Sequence, residues 1–225
     1  MVKNQHISLA VDIVVFTVMN GFLKVLLIRR GVEPFKGKYA LPGGFVRDDE
    51  SLEEAALREL SEETNVKNIF IKKLSAYGDV NRDPRGRIVS VVFIALIDSE
   101  RFKLKASTDA MHAEWVNINA MKSLAFDHNT ILNDSLDELK LDVQTTNIAA
   151  QMLPDKFTLS ELQKLYETIL GSELDKRNFR KRIKTFNILK PFNESKMEGA
   201  HRPAQLFSFR EKKFSSLKDR VSILL

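Results

Sequence analysis

Three glutamates in the first half of the chain have the residue type and spacing of a metal site. On an α-helix, at 100° per residue, Glu59, Glu62 and Glu63 fall within an arc of about 100°. Carboxylates crowded in this way repel one another unless a cation lies among them. Such oxygen ligands suit Mg²⁺ or Mn²⁺, and Mg²⁺ is often bound together with substrate phosphates. The alternative is a solvated acidic helix surface. Glu59, Glu62 and Glu63 are called the acidic triad below.

The residues in front of the acidic triad bear on this choice. A glycine turn, Leu41-Pro42-Gly43-Gly44, is followed five residues after Gly44 by Glu50, and seven residues later by Arg58. Six specified positions match such a pattern by chance with a likelihood on the order of 10⁻⁵ over the chain. The spacing therefore favours the metal site over the solvated surface.

This segment resembles the Nudix box, a pattern of Gly, five residues, Glu, seven residues, and then Arg-Glu-apolar-any-Glu-Glu-any-Gly-apolar. The matching positions are Gly44, Glu50, Arg58, Glu59, Leu60, Glu62, Glu63 and Val66. One position departs from the pattern, since Asn65 stands where the family has Gly. Asn is the next best residue for a left-handed helix end, so we expect the turn to be retained.

The resemblance implies a role for each matching residue. The acidic triad would bind Mg²⁺ or Mn²⁺ together with the backbone carbonyl of Gly43, and Glu50 and Arg58 would form a structural pair that orients the helix. The family hydrolyses nucleoside diphosphates linked to another moiety, with metal ions polarising the phosphate oxygens and activating water. The acidic triad is therefore also the expected catalytic group.

Two segments outside the box bear on turnover and on the ligand. Arg85 and Arg87, within Asp-Pro-Arg-Gly-Arg, offer two guanidinium groups that suit phosphates, although an exposed hairpin turn is an equal alternative. A similar turn occurs in the Nudix subgroup that resembles ADP-ribose pyrophosphatases and carries a C-terminal winged helix. Asp109, in the loop before the strand that contains Trp115, is our candidate general base, and His112 is expected at the surface.

A basic helix is predicted in the last third of the chain. With Lys176 at zero, an apolar stripe falls at about 280–340° and a cationic face at about 40–140°. This is the geometry of a helix that packs on a core and enters a DNA groove, whereas the alternative is a solvated basic face. The candidate DNA-binding residues are Arg177, Asn178, Arg180, Lys181, Lys184 and, near a predicted wing, Arg202.

Residues 157–209 resemble the winged helix of Nudix-related transcriptional regulators that control NAD or sugar metabolism. The likeness rests on Phe-Thr-Leu-Ser-Glu-Leu-Gln from Phe157 and on Leu-Asp-Lys-Arg-Asn-Phe-Arg from Leu174. A capping-box spacing from Thr158 to Glu161 predicts a helix that ends at Gly171. The resemblance implies double-stranded DNA as a partner and a homodimer as the DNA-binding form.

Hydrophobic periodicity predicts the elements that must position these residues. We expect strands at 9–19, 22–28, 68–76, 88–97 and 114–118, short strands at 188–190 and 205–209, and helices at 51–64, 128–140, 158–170 and 175–187. Asn20-Gly21 lies between two β-rich runs and predicts a type I′ hairpin. Strands and helices alternate without a βαβ period, so the fold class is α+β. The resemblance implies a Nudix α/β/α sandwich followed by a small winged helix-turn-helix domain.

Composition limits what else the chain can be. It has 225 residues and no cysteine, which excludes disulfides and cysteine-ligated zinc. No apolar run is long enough to cross a bilayer, and no signal-peptide core precedes the first strand, so we expect a cytoplasmic protein with no membrane partner. Residues 151–225 hold 16 Lys and Arg against 9 Asp and Glu, whereas residues 1–150 hold 19 against 21, so the positive charge lies in the second part. That asymmetry favours a polyanionic partner for the second part.

The sequence therefore predicts a Nudix domain at 1–142, a linker at 143–155 and a winged helix-turn-helix domain at 156–225. Our first functional hypothesis is a DNA-binding transcriptional regulator whose Nudix domain binds ADP-ribose or a related nucleotide and hydrolyses it with Mg²⁺. The alternative is an Mg²⁺-dependent ADP-ribose pyrophosphatase with an ancillary winged helix. A non-catalytic interaction module is a third class, against which the acidic triad argues.

Overall fold

The computed structural model describes residues 6–104, 110–121, 123–197 and 203–211. The chain forms two compact units, one made of Met1–Thr17 and Lys24–Leu136, the other of Val18–Leu23 and Asp137–Leu225. No helix in the described ranges is both long and apolar enough to cross a bilayer.

The first unit is built on a mixed sheet. The elements up to residue 145 are β1 (Ser8–Met19), β2 (Phe22–Arg30), β3 (Tyr39–Ala40), β4 (Gly43–Phe45), α1 (Leu52–Thr64), β5 (Lys72–Tyr77), β6 (Ile88–Leu96), β7 (Ala110–Asn117) and α2 (His128–Thr145). Of these, the turn between β1 and β2 and the end of α2 belong to the second unit. The central strands run in the order β3-β2-β1-β6-β5, with β4 paired to β1 and β7 paired to β2. The β1–β6 pair is parallel, whereas β4, β5 and β7 pair antiparallel with their neighbours.

The buried run of strand β1 and the turn that follows it both correspond to features of the sequence. Seven of its side chains in a row, from Val11 to Thr17 with Asp12 among them, are buried, and Val11, Ile13 and Val15 form one core cluster with residues of α1. Asn20 and Gly21 both have positive φ, 55° and 77°, as a type I′ turn requires. The predicted hairpin is therefore confirmed.

Helix α1 has the ends that the sequence predicts. Ser51 caps its first turn and Glu54 completes the capping box, which satisfies backbone N–H groups that have no partner within the helix. At the other end Asn65 adopts the left-handed conformation, with φ 63°, and its N–H donates to the carbonyl of Ser61. The Asn that departs from the Nudix pattern thus makes the turn that Gly would make.

The second unit has the order of a winged helix. Its elements are β8 (Phe157–Thr158), α3 (Leu159–Leu170), α4 (Lys176–Thr185), β9 (Leu189–Lys196) and β10 (Ala204–Phe209). Thr158 and Glu161 form the predicted capping box, and Gly171 ends α3 with φ 71°. The three strands form an antiparallel sheet in the order β8-β10-β9.

Several element boundaries differ from the sequence prediction, and three of these differences have a visible physical reason. Helix α2 continues through Thr145, into the segment predicted as linker, because Leu139 and Val143 lie one turn apart and are both buried. Strand β5 begins at Lys72 and not at residue 68, where Asn68 has positive φ and interrupts extended backbone. Strand β9 reaches Lys196, well beyond the predicted 188–190, because backbone pairing with β10 holds polar residues as readily as apolar ones.

Candidate active site and nucleic-acid interface

The end of α1 and the glycine turn of β4 bring the acidic triad to one cavity. Glu59, Glu62 and Glu63 all line a cavity of about 440 Å³ together with Gly43 and Gly44. Glu63 Oε2 accepts a hydrogen bond from the Gly43 N–H at 2.9 Å. Glu59 packs directly on Gly44, where a Cβ atom would lie 2.4 Å from the carboxylate carbon. Glycine is therefore required at residue 44 if Glu59 is to keep its place.

Glu50 and Arg58 form a two-point ion pair beside this cavity. Arg58 Nε donates to Glu50 Oε2 at 2.8 Å and Arg58 Nη2 to Glu50 Oε1 at 2.5 Å. The hydrogen bonds from Arg58 lower the pKa of Glu50 to about 2. Arg58 Nη2 also donates to the carbonyl of Phe45, which fixes the end of β4 against α1. The predicted structural role of this pair remains a proposal, but the structure places the two residues in contact.

Arg58 also balances part of the charge of the acidic triad. Its Nη1 lies 2.6 Å from Glu59 Oε1 and 3.4 Å from Glu62 Oε2. Burial raises the pKa of Glu63 to about 8, and repulsion from Glu59 and Asp12 acts in the same direction. Glu63 is therefore the carboxylate whose charge is least compensated by the protein.

The donor set fits a hard divalent cation. The cavity offers carboxylate oxygens and backbone groups and no sulfur ligand, as Mg²⁺ and Mn²⁺ prefer. Within the described ranges no three His, Asp or Glu side chains converge closely enough to form a metal cage. The reason is visible in their contacts, because Glu59 and Glu62 are turned to Arg58 and Glu63 to the Gly43 N–H. A cation would have to compete with these contacts.

Of the two predicted phosphate-binding arginines, one lies at the site. Arg85 lines both the 440 Å³ cavity and a smaller neighbouring cavity of about 70 Å³, and it is paired with Asp83 at 2.7 Å. Arg87 lines neither cavity, and its Nη1 donates to the carbonyl of Gly78. Arg30, which the sequence analysis missed, lines both. The alternating pattern of β2 gave no reason to single it out.

A buried polar network beneath the smaller cavity was also missed. His128 Nδ1 accepts from the Leu41 N–H at 2.9 Å, and its Nε2 lies 3.4 Å from Asp12 Oδ1. Asp12 Oδ2 accepts from the hydroxyl of Ser90 at 2.5 Å. Burial lowers the pKa of His128, which keeps the imidazole neutral and able to accept from Leu41. The network fixes the turn that precedes Gly43, and its one sequence signal was an Asp within a buried strand.

The same network extends to the loop between β5 and β6. Arg82 donates to both carboxylate oxygens of Asp127, at 2.7 and 2.8 Å, and lies 3.5 Å from Asp12 Oδ2. The Arg82 side chain is 4% exposed, so both of its carboxylate partners are needed to compensate a buried charge. The loop that carries Arg85 is thereby anchored to the residue that precedes α2.

The remaining predicted residues of this region have mixed outcomes. Asp109, the candidate general base, lies outside the described residues, as does Arg202 of the predicted wing. His112 has a 62% exposed side chain, as expected for a surface residue. Trp115 is partly buried against the core below α1.

Helix α4 presents the predicted cationic face, with one exception. Phe179 and Ile183 are buried, and four of the six candidate DNA-binding residues are exposed, namely Arg177, Asn178, Lys181 and Lys184. Arg180 instead turns towards α3, where its Nη2 lies 3.5 Å from Ser160 Oγ. Its buried Nε has no hydrogen-bond partner within the described structure.

Ion pairs hold β9 to Lys156, which precedes β8, and to helix α3. Lys156 Nζ lies 2.6 Å from Glu194 and packs over the ring of Phe192, and Lys196 Nζ lies 2.7 Å from Glu161 of α3. Exposed pairs of this kind contribute little stability individually, about 0–1 kcal/mol, but they fix geometry. They orient the strand that begins the predicted wing.

Comparison with known protein families matches both parts of the chain. A model described as NUDIX domain matches residues 8–137, and one described as NrtR DNA-binding winged helix domain matches residues 149–209. The chain is 38% identical over 205 residues to an ADPR responsive transcriptional repressor, NtrR, of Acinetobacter baylyi, covering 89% of this chain and 81% of that protein. It is 47% identical over 111 residues to an ADP-ribose pyrophosphatase of Methanocaldococcus jannaschii, covering 49% and 64%.

Two solved structures extend these similarities to three dimensions. Shewanella oneidensis NrtR in complex with a 27mer DNA is 33% identical, with a TM-score of 0.79, and the match covers 90% of this chain and 93% of that one. The NUDIX domain of the same NrtR, in complex with ADP ribose, is 35% identical with a TM-score of 0.56, covering 60% and 90%. The predicted resemblance to both families, and the predicted fold class, are therefore confirmed.

Proposed function

This chain belongs to the Nudix family and carries the NrtR winged helix domain, and from that premise we propose that it is a DNA-binding transcriptional regulator that responds to ADP-ribose. The observation that carries the proposal is that one chain holds both an acidic, arginine-lined cavity and a separate helix with an exposed cationic face. A nucleoside diphosphate fits the first and duplex DNA the second. The similarity to the Acinetobacter repressor spans both features.

The DNA-binding part of the proposal assigns roles on α4. The exposed Lys181 and Lys184 bind phosphates, which positions the helix, whereas Arg177 and Asn178 near its start read base edges. Arg180 reaches DNA only if it leaves its contact with α3. A homodimer bound to two half-sites is expected, and Arg202 would contact DNA from the wing.

The experiment that tests this proposal is fluorescence anisotropy with DNA captured from the host genome, titrated with ADP-ribose in the absence of divalent metal. Coupling between two sites is commonly about 1–3 kcal/mol, so ADP-ribose should shift DNA affinity about 5–150-fold, with release of DNA as the expected direction. By reciprocity, the DNA must change ADP-ribose affinity by the same factor. A DNA affinity unchanged within twofold at saturating ADP-ribose contradicts the regulatory proposal.

Hydrolysis is the second candidate function, and the acidic triad favours it. The triad and the Gly43 carbonyl would hold Mg²⁺ or Mn²⁺, which when bound polarises phosphate oxygens and activates water. Arg85 and Arg30 would bind the diphosphate, and Asp109 would act as general base. Product analysis after incubation with ADP-ribose and Mg²⁺ tests this, with Glu63→Gln as the inactive control.

A further inference from the structure

Two phenylalanine rings form a wall of the smaller cavity, which is lined by both charged and apolar groups. Phe45 follows the glycine turn and is 43% exposed, and Phe126 precedes α2. Both line the 70 Å³ cavity, whose other lining includes Asp12, Arg82 and His128. Phe45 is thus an exposed aromatic ring beside charged groups, whereas Phe126 is half-buried and also packs against the buried cluster of Ile28, Ala40, Ala113 and Ala125.

The position of Phe126 is enforced by an uncommon backbone conformation. Phe126 has φ 53° and its neighbour Phe35 has φ 64°, and the two rings meet edge to face with centroids 4.9 Å apart. Bulky residues rarely adopt the left-handed region, and such residues concentrate at functional sites. The contact between the two rings holds Phe126 at the cavity.

A planar cation covers both rings of the wall. The guanidinium carbon of Arg85 lies 5.0 Å from the centroid of Phe45 and 5.3 Å from that of Phe126. Asp83 holds Arg85 there through a 2.7 Å ion pair. A guanidinium is flat and stacks on aromatic faces in the way a nucleobase does. Arg85 therefore occupies the faces that a base would use.

The size of the smaller cavity and the charges around it indicate which kind of ligand the two rings would bind. The smaller cavity, at about 70 Å³, is well below the roughly 300 Å³ of ordinary ligand pockets, and Arg85 is part of its lining. Arg30 lies 4.8 Å from the centroid of Phe126, so two cations meet at one ring. Two guanidiniums beside two aromatic faces suit a ligand with one planar group and more than one phosphate.

We propose that Phe45 and Phe126 bind the base of the nucleotide, and that Arg85 covers them in the free protein and moves to the diphosphate when the base enters. This inference rests on the proposed function, since it names how the same site recognises its ligand. It makes Phe45 and Phe126 specificity-determining residues and Arg85 a group that exchanges one partner for another.

The test compares a ligand with a base to one without, using calorimetric titration in the absence of divalent metal. Base stacking on an aromatic side chain is worth about 1–3 kcal/mol, so Phe45→Leu and Phe126→Leu should each weaken ADP-ribose binding about 5–150-fold. Ribose 5-phosphate, which has no base, should bind the variants within twofold of the unmodified protein. Phe22→Leu, at an exposed phenylalanine outside both cavities, is the matched control and should change neither affinity.

A second variant, Arg85→Ala, should affect the binding of adenosine and of ADP-ribose differently. Arg85→Ala uncovers the rings and removes a phosphate contact, so adenosine should bind at least as tightly as to the unmodified protein while ADP-ribose binds at least about tenfold more weakly. Arg101→Ala, at an exposed arginine outside both cavities, should leave both affinities unchanged. Adenosine affinity is measured by saturation-transfer NMR.

The outcomes separate this inference from the proposed function. If the unmodified protein binds no ADP-ribose, the proposed function fails and the inference fails with it. If it binds ADP-ribose but Phe45→Leu weakens ADP-ribose and ribose 5-phosphate equally, or Arg85→Ala also weakens adenosine, the inference alone is wrong. Phe45→Tyr keeps the aromatic face and should bind ADP-ribose within threefold of the unmodified protein, which distinguishes a lost ring from a damaged fold.

Discussion

Replacing Gly44 by Ala tests the proposed metal-dependent hydrolysis, because it should lower cleavage of ADP-ribose while leaving the fold nearly intact. The added Cβ would lie 2.4 Å from both the Cδ and the Oε1 atoms of Glu59, a separation that real Cβ contacts do not tolerate. The backbone of Gly44 does not have positive φ, so alanine itself is not strained there. What must move is the end of a flexible side chain, and Glu59 would leave its place and its 2.6 Å contact with Arg58.

The magnitudes follow from which group moves. Displacing one carboxylate of a divalent-metal site should lower turnover at least about 10²-fold, which corresponds to about 2.7 kcal/mol of the activation barrier. The free energy of unfolding should fall by about 1 kcal/mol, because only the end of one flexible side chain, which is 16% exposed, relocates. Gly43→Ala is the contrasting variant, since its Cβ would lie 2.2 Å from the backbone carbonyl oxygen of Val11. That contact cannot be relieved by a rotamer change, so Gly43→Ala should lose stability as well.

Two measurements check this reasoning. Cleavage of ADP-ribose is followed with increasing Mg²⁺, and Mn²⁺ binding is followed by electron paramagnetic resonance, which does not require turnover. Thermal unfolding of both glycine variants is recorded beside that of Gly78→Ala, whose Cβ would make an ordinary 3.4 Å contact. Cleavage and Mn²⁺ affinity in Gly44→Ala equal to those of the unmodified protein would refute the assignment of Glu59 as a metal ligand.

Three further predictions concern the acidic triad, the ion pair of Glu50 with Arg58, and the cationic face of α4. Glu63→Gln should lower Mg²⁺-dependent cleavage of ADP-ribose at least about 10²-fold, and equal rates in the two proteins would show that Glu63 is not a metal ligand. Because the pKa of Glu50 is lowered to about 2, its contribution to stability is complete above about pH 4.5 and is lost as the pH falls towards 2. Urea unfolding of Glu50→Gln between these pH values should therefore show a weaker loss of stability with acid, and an unchanged slope would contradict the ion pair with Arg58. Lys181→Ala should weaken binding to all DNA sequences alike and reduce the salt dependence of log Kd by about one unit per site, whereas a change confined to one operator would assign Lys181 to base recognition.

The features predicted best from the sequence are those set by neighbours along the chain. The capping box at Thr158 and the left-handed ends at Asn65 and Gly171 each depend on residues within one helical turn. The Glu50–Arg58 pair spans eight positions within one motif. Spacing alone determines such contacts, because helix geometry converts sequence separation directly into distance.

The features that were missed depend on contacts between distant segments. His128 meets Leu41 across 87 positions, and Ser90 meets Asp12 across 78. The aromatic wall likewise joins Phe45 of β4 to Phe126, two residues before α2. Each partner has an unremarkable local pattern, so only the pairing of the strands and the packing of α2 reveals that they meet.

Arg180 is a residue whose exposure could not be predicted from its angle on a helical wheel. Its predicted angle of about 40° lies at the edge of the cationic face, next to the apolar stripe of Phe179 and Ile183. A side chain at such an edge can extend into solvent or lie against the neighbouring helix. Packing against the helix buries the apolar methylene groups of the arginine, which is favourable. In the structure Arg180 lies against the neighbouring helix, with its Nη2 beside Ser160 of α3. The exposed face is therefore narrower than its charge count implied, and for this reason Lys181, not Arg180, is the residue whose substitution reports on DNA binding without also disturbing the contact between α3 and α4.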